Sequence, residues 1–252
     1  MIWPLKRAVR NFVMRRLDVP DMRTGLVRLR ENGLAPQVIF DVGAYRGDFA
    51  RLCREIWRDA QIACFEILPN QLERLRQLSA HDRRLHVFET LLGPQQRSDV
   101  PVHEAATATS VLEERASAPG EPWKRKQFPI GHYPMSTVDQ MVQQHFQSCP
   151  PCLLKLDVQG FELEVLKGAE LCLGKGNLKA IIAEVNLLDL HKDCPLLADL
   201  VAWLDYRNWV IYDICGFGRR PKDSALWQID AIFVRRESWL RIDKRWGGRP
   251  VC

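Results

Sequence analysis

The chain has 252 residues, of which 46% are hydrophobic and 27% are charged, and its formal net charge is +5. This length and composition suit one globular domain with a full core. No stretch approaches the roughly 18–20 apolar residues of a membrane span, and Lys6, Arg7 and Arg10 interrupt the apolar run that a signal peptide would need. We therefore expect a cytoplasmic protein whose eight cysteines remain thiols.

The positive charge is concentrated near the N-terminus. Residues 1–30 contain eight Lys or Arg and two Asp, a net charge of +6, so the rest of the chain sums to −1. A neutral body argues against a nucleic-acid-binding protein, whose working face would be basic. Residues 1–34 are predicted to form a basic helical arm. Helical spacing within residues 2–17 leaves two alternatives, peripheral contact with an anionic membrane and an ordinary first helix packed on the sheet.

The elements that follow alternate between helix and strand patterns. Such alternation predicts an α/β fold in which a mostly parallel sheet carries helices on both faces. In chain order the predicted elements are a helix over 22–31, a strand over 37–41, a helix over 49–57, a strand over 61–66, a helix over 69–78, a strand over 84–91, a helix that Ser136 or Thr137 caps and that runs to 146, a strand over 153–157, a helix over 161–173, a strand over 178–185, a helix over 196–206, and strands over 209–214 and 228–235.

The alternation breaks between residues 93 and 135. This segment is rich in Ala, Thr, Ser, Pro and Gly and has strand-like pieces near 100–104 and 128–132. An insertion of this length before the fourth strand predicts a lid or a wall of a binding site. The main domain, including this insertion, is predicted to span residues 35–236, and a polar, basic tail follows over 237–252.

The segment 153–170, with the sequence LLKLDVQGFELEVLKGAE, predicts a binding or catalytic site. Its apolar strand ends in Lys155 and Asp157, a break at Gln159 and Gly160 follows, and the next helix starts with Glu162. Ligands of open α/β sheets bind where strands end and helices begin. We therefore expect these polar side chains to lie at one edge of the sheet.

The turn after the first strand indicates the kind of cofactor. It reads Asp41-Val42-Gly43-Ala44-Tyr45-Arg46-Gly47, a G-x-x-x-G pattern rather than the G-x-G-x-x-G of dinucleotide sites. Glu66 ends the second strand, where a carboxylate can accept hydrogen bonds from ribose hydroxyls in either cofactor class. S-adenosylmethionine has no phosphate, and its ammonium and sulfonium groups favour an acidic strand end such as Asp41. The turn therefore favours S-adenosylmethionine over NAD.

Taken in order from residue 38 to residue 234, these motifs resemble the FkbM family of S-adenosylmethionine-dependent methyltransferases. The similar segments are 41–47, Glu66, 137–139, 153–170, 181–185, 210–214 and 228–230. The resemblance implies a class I methyltransferase (Rossmann-like) fold with a seven-stranded, mostly parallel sheet. It also implies O-methylation of a sugar or glycan, a glycolipid or a polyketide-type small molecule. One difference is Tyr45, which stands where the family usually has Asn.

The strand ends and the resemblance together indicate the candidate site residues. The residues expected to contact the cofactor are Asp41, Gly43, Tyr45, Gly47, Glu66, Ile67 and Leu91. Asp157 is the first candidate for the base that takes the acceptor's proton, or for an acceptor anchor, with Glu184 second and Lys155 beside them. The alternative is that these carboxylates are structural, and cap a helix or pair with Lys155.

Other functions stay open at this point. The alternatives are an NAD-type Rossmann oxidoreductase and a non-catalytic membrane adaptor that retains the fold. Nucleic acid is not an expected partner, because residues 157–160 do not have the Asn/Asp-Pro-Pro-aromatic run of base-amino methyltransferases. No metal site is expected, although Asp189, His191 and Asp193 have side chains that bind divalent ions.

Overall fold

The computed structural model describes residues 19–104, 110–112, 129–174, 176–189, 192–245 and 247. The predicted membrane or packing segment over residues 2–17 lies outside this described part of the chain. Within the described part, no helix is long and apolar enough to cross a membrane.

Strands and helices alternate along most of the described chain. The strands are β1 (Val38–Val42), β2 (Gln61–Glu66), β3 (Leu85–Glu89), β4 (Leu91–Leu92), β5 (Arg97–His103), β6 (Ile130–Ser136), β7 (Leu153–Leu156), β8 (Ala180–Asn186), β9 (Trp209–Arg219) and β10 (Leu226–Arg235). The helices are α1 (Met22–Glu31), α2 (Asp48–Ile56), α3 (Pro69–His81), α4 (Val138–His145), α5 (Glu162–Lys167), α6 (Glu170–Gly174), α7 (Leu197–Asp205) and α8 (Trp239–Ile242).

The main sheet has seven strands in the order β3-β2-β1-β7-β8-β10-β9. The first five of these run parallel to one another, whereas β10 is antiparallel to both β8 and β9. The predicted seven-stranded, mostly parallel sheet is therefore confirmed. Chain order reverses between β1 and β7, and such a switch point is where open α/β sheets bind ligands.

Local signals set the starts of several helices. Asp21 caps α1 by accepting a hydrogen bond from the Thr24 N–H at 3.2 Å. Thr137 caps α4 in the same way, and it accepts from the Gln140 N–H at 3.0 Å. Pro69 begins α3, at a position where its missing N–H removes no helical hydrogen bond. These helices begin close to where the sequence predicts them because their signals are local.

The single helix predicted over 161–173 is wrong, because the structure divides it into α5 and α6. Gly168 lies at the break, and a β-carbon there would be 2.0 Å from the Gly93 carbonyl oxygen. The Asp139 carboxylate then starts α6 by accepting hydrogen bonds from the N–H groups of Leu171 and Cys172 at 2.8 and 3.0 Å. Contacts with distant parts of the chain therefore end the first helix.

The insertion contributes a second sheet, in the order β4-β6-β5. β4 pairs in parallel with β6, and β5 pairs with β6 antiparallel. The strand predicted over 84–91 is therefore too long, because the chain leaves the main sheet after Glu89 and enters the second sheet at Leu91. Val100 and Met135 of the second sheet belong to the same apolar core as β7. This shared core fixes the described part of the insertion to the main domain.

Both faces of the main sheet are covered, and each face has its own apolar core. All residues of β1 and of β8 are buried, as expected for parallel strands between two layers. One core contains Phe40, Phe65 and Trp209, and the other contains Ile39 and Leu153. Rigid strands therefore support the turns that follow β1 and β7.

Candidate functional site

Two turns meet at the switch point between β1 and β7. The turn over 43–47 is joined to β2, because the N–H groups of Gly43 and Ala44 both donate to the Phe65 carbonyl oxygen at 3.1 Å. The turn over 157–160 lies against it. Gly43 has a φ of +74°, and a β-carbon there would be 1.9 Å from the Asp157 carbonyl oxygen. Glycine is needed for this close approach of two backbone segments.

Glu66 connects the first turn to the start of α3. Its buried carboxylate accepts hydrogen bonds from the N–H groups of Tyr45 at 2.8 Å, Ile67 at 2.8 Å and Leu68 at 3.0 Å. A carboxylate has about four lone-pair sites, so these three donors leave acceptor capacity for one more. The ribose contact predicted for Glu66 stays a prediction, and the carboxylate has a free site for it.

Tyr45 has an unusual backbone conformation in the first turn. Its φ is +47°, in the left-handed region that is costly for a bulky side chain and that Asn adopts more readily. The hydrogen bond from its N–H to Glu66 holds this conformation. Its ring lines a cavity, and the Arg46 guanidinium lies 4.9 Å from the ring centroid. The position thus presents an aromatic surface to the site.

Lys155 lies in a buried cluster of charges beneath the two turns. Its ammonium is 3.3 Å from Asp41 and 3.1 Å from Asp157, and it donates to the Gly43 carbonyl oxygen at 3.2 Å. Burial lowers the pKa of Lys155, but Asp157 and Asp41 raise that pKa more, so the amine stays protonated. Burial raises the pKa of Asp41, and Lys155 opposes the rise. Lys155 therefore ties the end of β1 to the end of β7.

A chain of hydrogen bonds continues from Asp157 across the strand ends. The Gln159 amide donates to Asp157 at 3.0 Å and to Glu184 at 2.7 Å. The Gln228 amide donates to the other oxygen of Glu184 at 2.7 Å. The Ser110 hydroxyl of the insertion donates to the Gln159 carbonyl oxygen at 2.8 Å. The insertion, β7, β8 and β10 are therefore joined at one edge of the sheet.

Several carboxyl groups near this edge have raised pKa values, and those of Glu184 and Glu162 bear on the chemistry of the site. Burial, followed by the charges of Asp157, Glu162 and Asp230, raises the pKa of Glu184 to about 9. Burial also raises the pKa of Glu162 to about 7, although backbone N–H donors oppose that rise. Glu184 is therefore protonated at neutral pH and is poorly suited to take a proton from an acceptor.

A cavity of about 450 Å³ lies over both turns, within the size range of small-molecule sites. The predicted site residues that line it are Gly43, Tyr45, Glu66, Ile67, Leu91, Asp157 and Glu184. Asp41 and Lys155 lie behind its wall, where they hold the turns. Gly47 starts α2 with a φ of +75°, and a β-carbon there would be 2.8 Å from Leu78 of α3.

One wall of the cavity was missed by the sequence analysis. Trp227 and Gln228 line it, and both lie at the start of β10. Because β10 runs antiparallel to β8, its first residues lie beside the last residues of β8, and Gln228 pairs with Asn186. Recognition of the last strand as antiparallel would have placed these two residues at the site.

Among the described residues, no group of three or more His, Cys, Asp or Glu side chains could hold a metal ion. His191 lies outside the described part of the chain. The set of Asp189, His191 and Asp193 is therefore not tested.

The sequence matches the family model of the Methyltransferase FkbM domain over residues 41–217. No curated protein sequence matches the chain. Among solved structures, the chain is similar to an FkbM methyltransferase from Methylobacillus flagellatus KT, with 14% identity, a TM-score of 0.48, and coverage of 79% of this chain and 43% of that chain. It thus spans less than half of the Methylobacillus protein. It is also similar to magnesium protoporphyrin IX methyltransferase (ChlM) from Synechocystis PCC 6803 with bound SAM, with 10% identity, a TM-score of 0.44, and coverage of 90% and 81%.

Proposed function

Because the chain belongs to the FkbM family of S-adenosylmethionine-dependent methyltransferases, we propose that it methylates a hydroxyl of a sugar or glycan, a glycolipid or a polyketide-type small molecule. The observation that carries this proposal is a cavity that extends over both turns, the one after β1 and the one after β7. Glu66 of β2 and Glu184 of β8 both line this cavity. Their strands are separated by three inter-strand spacings, which amounts to about 14 Å. One cavity can therefore hold a cofactor and an acceptor side by side, as group transfer requires.

The β2 end of the cavity fits an adenosine group. Glu66 has an acceptor site for a ribose hydroxyl, and Phe65, Ile67 and Leu91 provide an apolar wall for the base. When it is bound, S-adenosylmethionine supplies an electrophilic methyl group, and transfer of that group to a hydroxyl releases one proton. The residues at the other end of the cavity are proposed to bind the acceptor and to take this proton.

Asp157 is the proposed proton acceptor. Its carboxylate lines the cavity, and both oxygens are fixed, one by Lys155 at 3.1 Å and the other by Gln159 at 3.0 Å. An alcohol is a weak nucleophile, so a positioned carboxylate that accepts its proton as the new O–C bond forms lowers the barrier. Glu184, protonated at neutral pH, is proposed to hydrogen-bond the acceptor. Lys155 and Asp41 are proposed as positioning residues behind the wall.

The variants Asp157→Asn and Glu66→Ala test the two ends of the cavity separately. Asp157→Asn should lower methyl transfer by at least about a hundredfold while the affinity for S-adenosylhomocysteine is unchanged. Glu66→Ala should weaken that affinity. Calorimetric titration measures binding, and release of S-adenosylhomocysteine with a panel of glycans and glycolipids measures transfer. Full activity of Asp157→Asn would show that Asp157 is not the base. Unchanged affinity of Glu66→Ala for S-adenosylhomocysteine would show that Glu66 does not bind the ribose.

We also propose that the acceptor is a small molecule or glycan rather than a nucleic acid, and that the protein acts in the cytoplasm, with residues 2–17 at the inner face of the membrane. The apolar stripe within 2–17 and the net charge of +6 over residues 1–30 support the membrane contact. Flotation with anionic and neutral vesicles tests it. Equal binding to anionic and neutral vesicles would contradict the proposed membrane contact, and so would binding by a chain that lacks residues 2–17.

A further inference from the structure

We propose that a second cavity beside the first binds an alkyl or acyl chain carried by the acceptor. This inference rests on the proposed methyl transfer, and it narrows the acceptor to an amphipathic molecule. The hydroxyl of that molecule lies at Asp157, and its apolar portion fills the second cavity, which has a volume of about 350 Å³.

The two cavities are direct neighbours. Val111 and Phe161 line both of them, so these two side chains form a common wall. Phe161 begins α5 just after the turn that carries Asp157. Val111 follows Ser110, whose hydroxyl bonds to the same turn. Among the described residues, the second cavity therefore begins beside the turn that carries Asp157.

The floor of the second cavity is apolar and its mouth is polar. Val100, Met135 and Phe161 line the floor, and they are 1%, 3% and 9% exposed. The polar residues that line the cavity are Gln95, Arg97, Glu164 and Asp193, of which Glu164 is partly buried and the other three are exposed. A pocket with an apolar floor is the arrangement that buries the hydrocarbon portion of a ligand.

The charges at the mouth argue against a phosphate or a second sugar ring as the occupant. Arg97 is accompanied by two carboxylates, Glu164 and Asp193, so the mouth has no excess of positive charge for a phosphate. The side chains of the floor carry no hydrogen-bond donors for sugar hydroxyls. A hydrocarbon chain, by contrast, gains affinity with each CH₂ group that leaves water.

A series of ethyl, butyl, hexyl and octyl glucoside tests the proposal. Each glucoside is titrated calorimetrically, below its micelle concentration, into the full chain saturated with S-adenosylhomocysteine. The affinity should rise about fourfold for each added CH₂ until the cavity is filled. An affinity that does not depend on chain length would overturn the proposal.

Matched variants locate the binding site of the chain. Leu112→Trp fills the second cavity and should abolish the dependence on chain length, with the affinity for S-adenosylhomocysteine unchanged. Pro195→Trp narrows the same cavity and serves if Leu112→Trp does not fold. Leu171→Trp is the control, because Leu171 is 57% exposed on α6 and should leave the dependence intact. Persistence of the dependence in the folded cavity variant would overturn the proposal.

Failure of the proposed methyl transfer would be seen separately. If the chain does not bind S-adenosylhomocysteine, the proposed methyl transfer fails, and the glucosides are then titrated into the free chain. A fourfold rise in affinity per CH₂ that disappears in Leu112→Trp would then still assign the cavity to a hydrocarbon chain. An affinity of the unaltered chain that does not depend on chain length would overturn this assignment as well.

Discussion

Replacement of Lys155 by Met tests whether the buried charges hold the ends of β1 and β7 together. Met keeps the aliphatic stem of Lys but removes the ammonium that lies 3.3 Å from Asp41 and 3.1 Å from Asp157. The side chain of Asp41 is fully buried, whereas that of Asp157 is 36% exposed. Water can therefore solvate Asp157 in the variant, but it cannot solvate Asp41.

The burial of Asp41 sets the expected magnitude. Removal of one partner from a buried ion pair costs about 3–5 kcal/mol, because the other charge stays buried without compensation. We expect the free energy of unfolding of Lys155→Met to fall by this amount at neutral pH. Burial already raises the pKa of Asp41 against the opposing effect of Lys155, so without Lys155 this pKa rises further. The penalty is absent below the unfolded pKa of about 3.9 and grows as the pH rises through the folded pKa. The loss should therefore be smaller in acidic buffer.

Denaturant titration followed by Trp fluorescence measures this loss. Lys167→Met is the matched control, because Lys167 is 43% exposed and pairs with Glu164 on the surface. Such exposed pairs contribute about 0.2–1 kcal/mol. The double variant Lys155→Met/Asp41→Asn removes both buried charges and should recover most of the loss. The reasoning is refuted if Lys155→Met costs no more than Lys167→Met, or if Asp41→Asn recovers nothing.

Two further predictions concern the turns and the acceptor end of the site. Gly43→Ala should lower the free energy of unfolding by more than the roughly 1–3 kcal/mol of a strained backbone, since its β-carbon would also be 1.9 Å from the Asp157 carbonyl oxygen. Gly174→Ala, which has nothing within 4 Å, is the control in thermal melting, and equal melting temperatures would contradict the prediction. Glu184→Gln should reduce the loss of stability with rising pH. The pKa of Glu184 is raised from 4.5 to about 9, so its contribution is complete below about pH 4.5 and is lost as the pH rises to about 9. If the melting temperature of Glu184→Gln falls with pH as steeply as that of the unaltered protein over that range, the raised pKa of Glu184 is contradicted.

Elements with local signals were predicted well from the sequence. The cap at Asp21, the cap at Thr137 and the proline at the start of α3 act within one turn of a helix, so a short stretch of sequence shows them. The division between α5 and α6 has another origin. It depends on the approach of Gly168 to Gly93, which belongs to a different part of the chain. A helical pattern alone does not show such a contact.

The polar side chains of the predicted site lie at one edge of the sheet, as expected, but the directions of those side chains were not predicted. Asp41 and Lys155 are register partners on neighbouring strands, and their side chains meet behind the cavity wall. Side chains of a strand alternate between its two faces. Which face a residue occupies therefore depends on register between distant segments, which a single sequence does not show. Gly43 is similar, because its close neighbour is the Asp157 carbonyl oxygen, which belongs to a distant segment of the chain.

The two ends of the cavity are held by different kinds of contact, and this explains why the sequence indicated a cofactor and left the acceptor open. At the β2 end, Glu66 accepts its hydrogen bonds from backbone N–H groups. Tyr45 can therefore replace the Asn usual in the family without loss of the N–H donor at that position. At the β8 end, Glu184 is held by the side-chain amides of Gln159 and Gln228. A substitution of either glutamine therefore removes a side-chain donor at the proposed acceptor end, whereas a substitution at position 45 leaves the backbone donor of the β2 end in place.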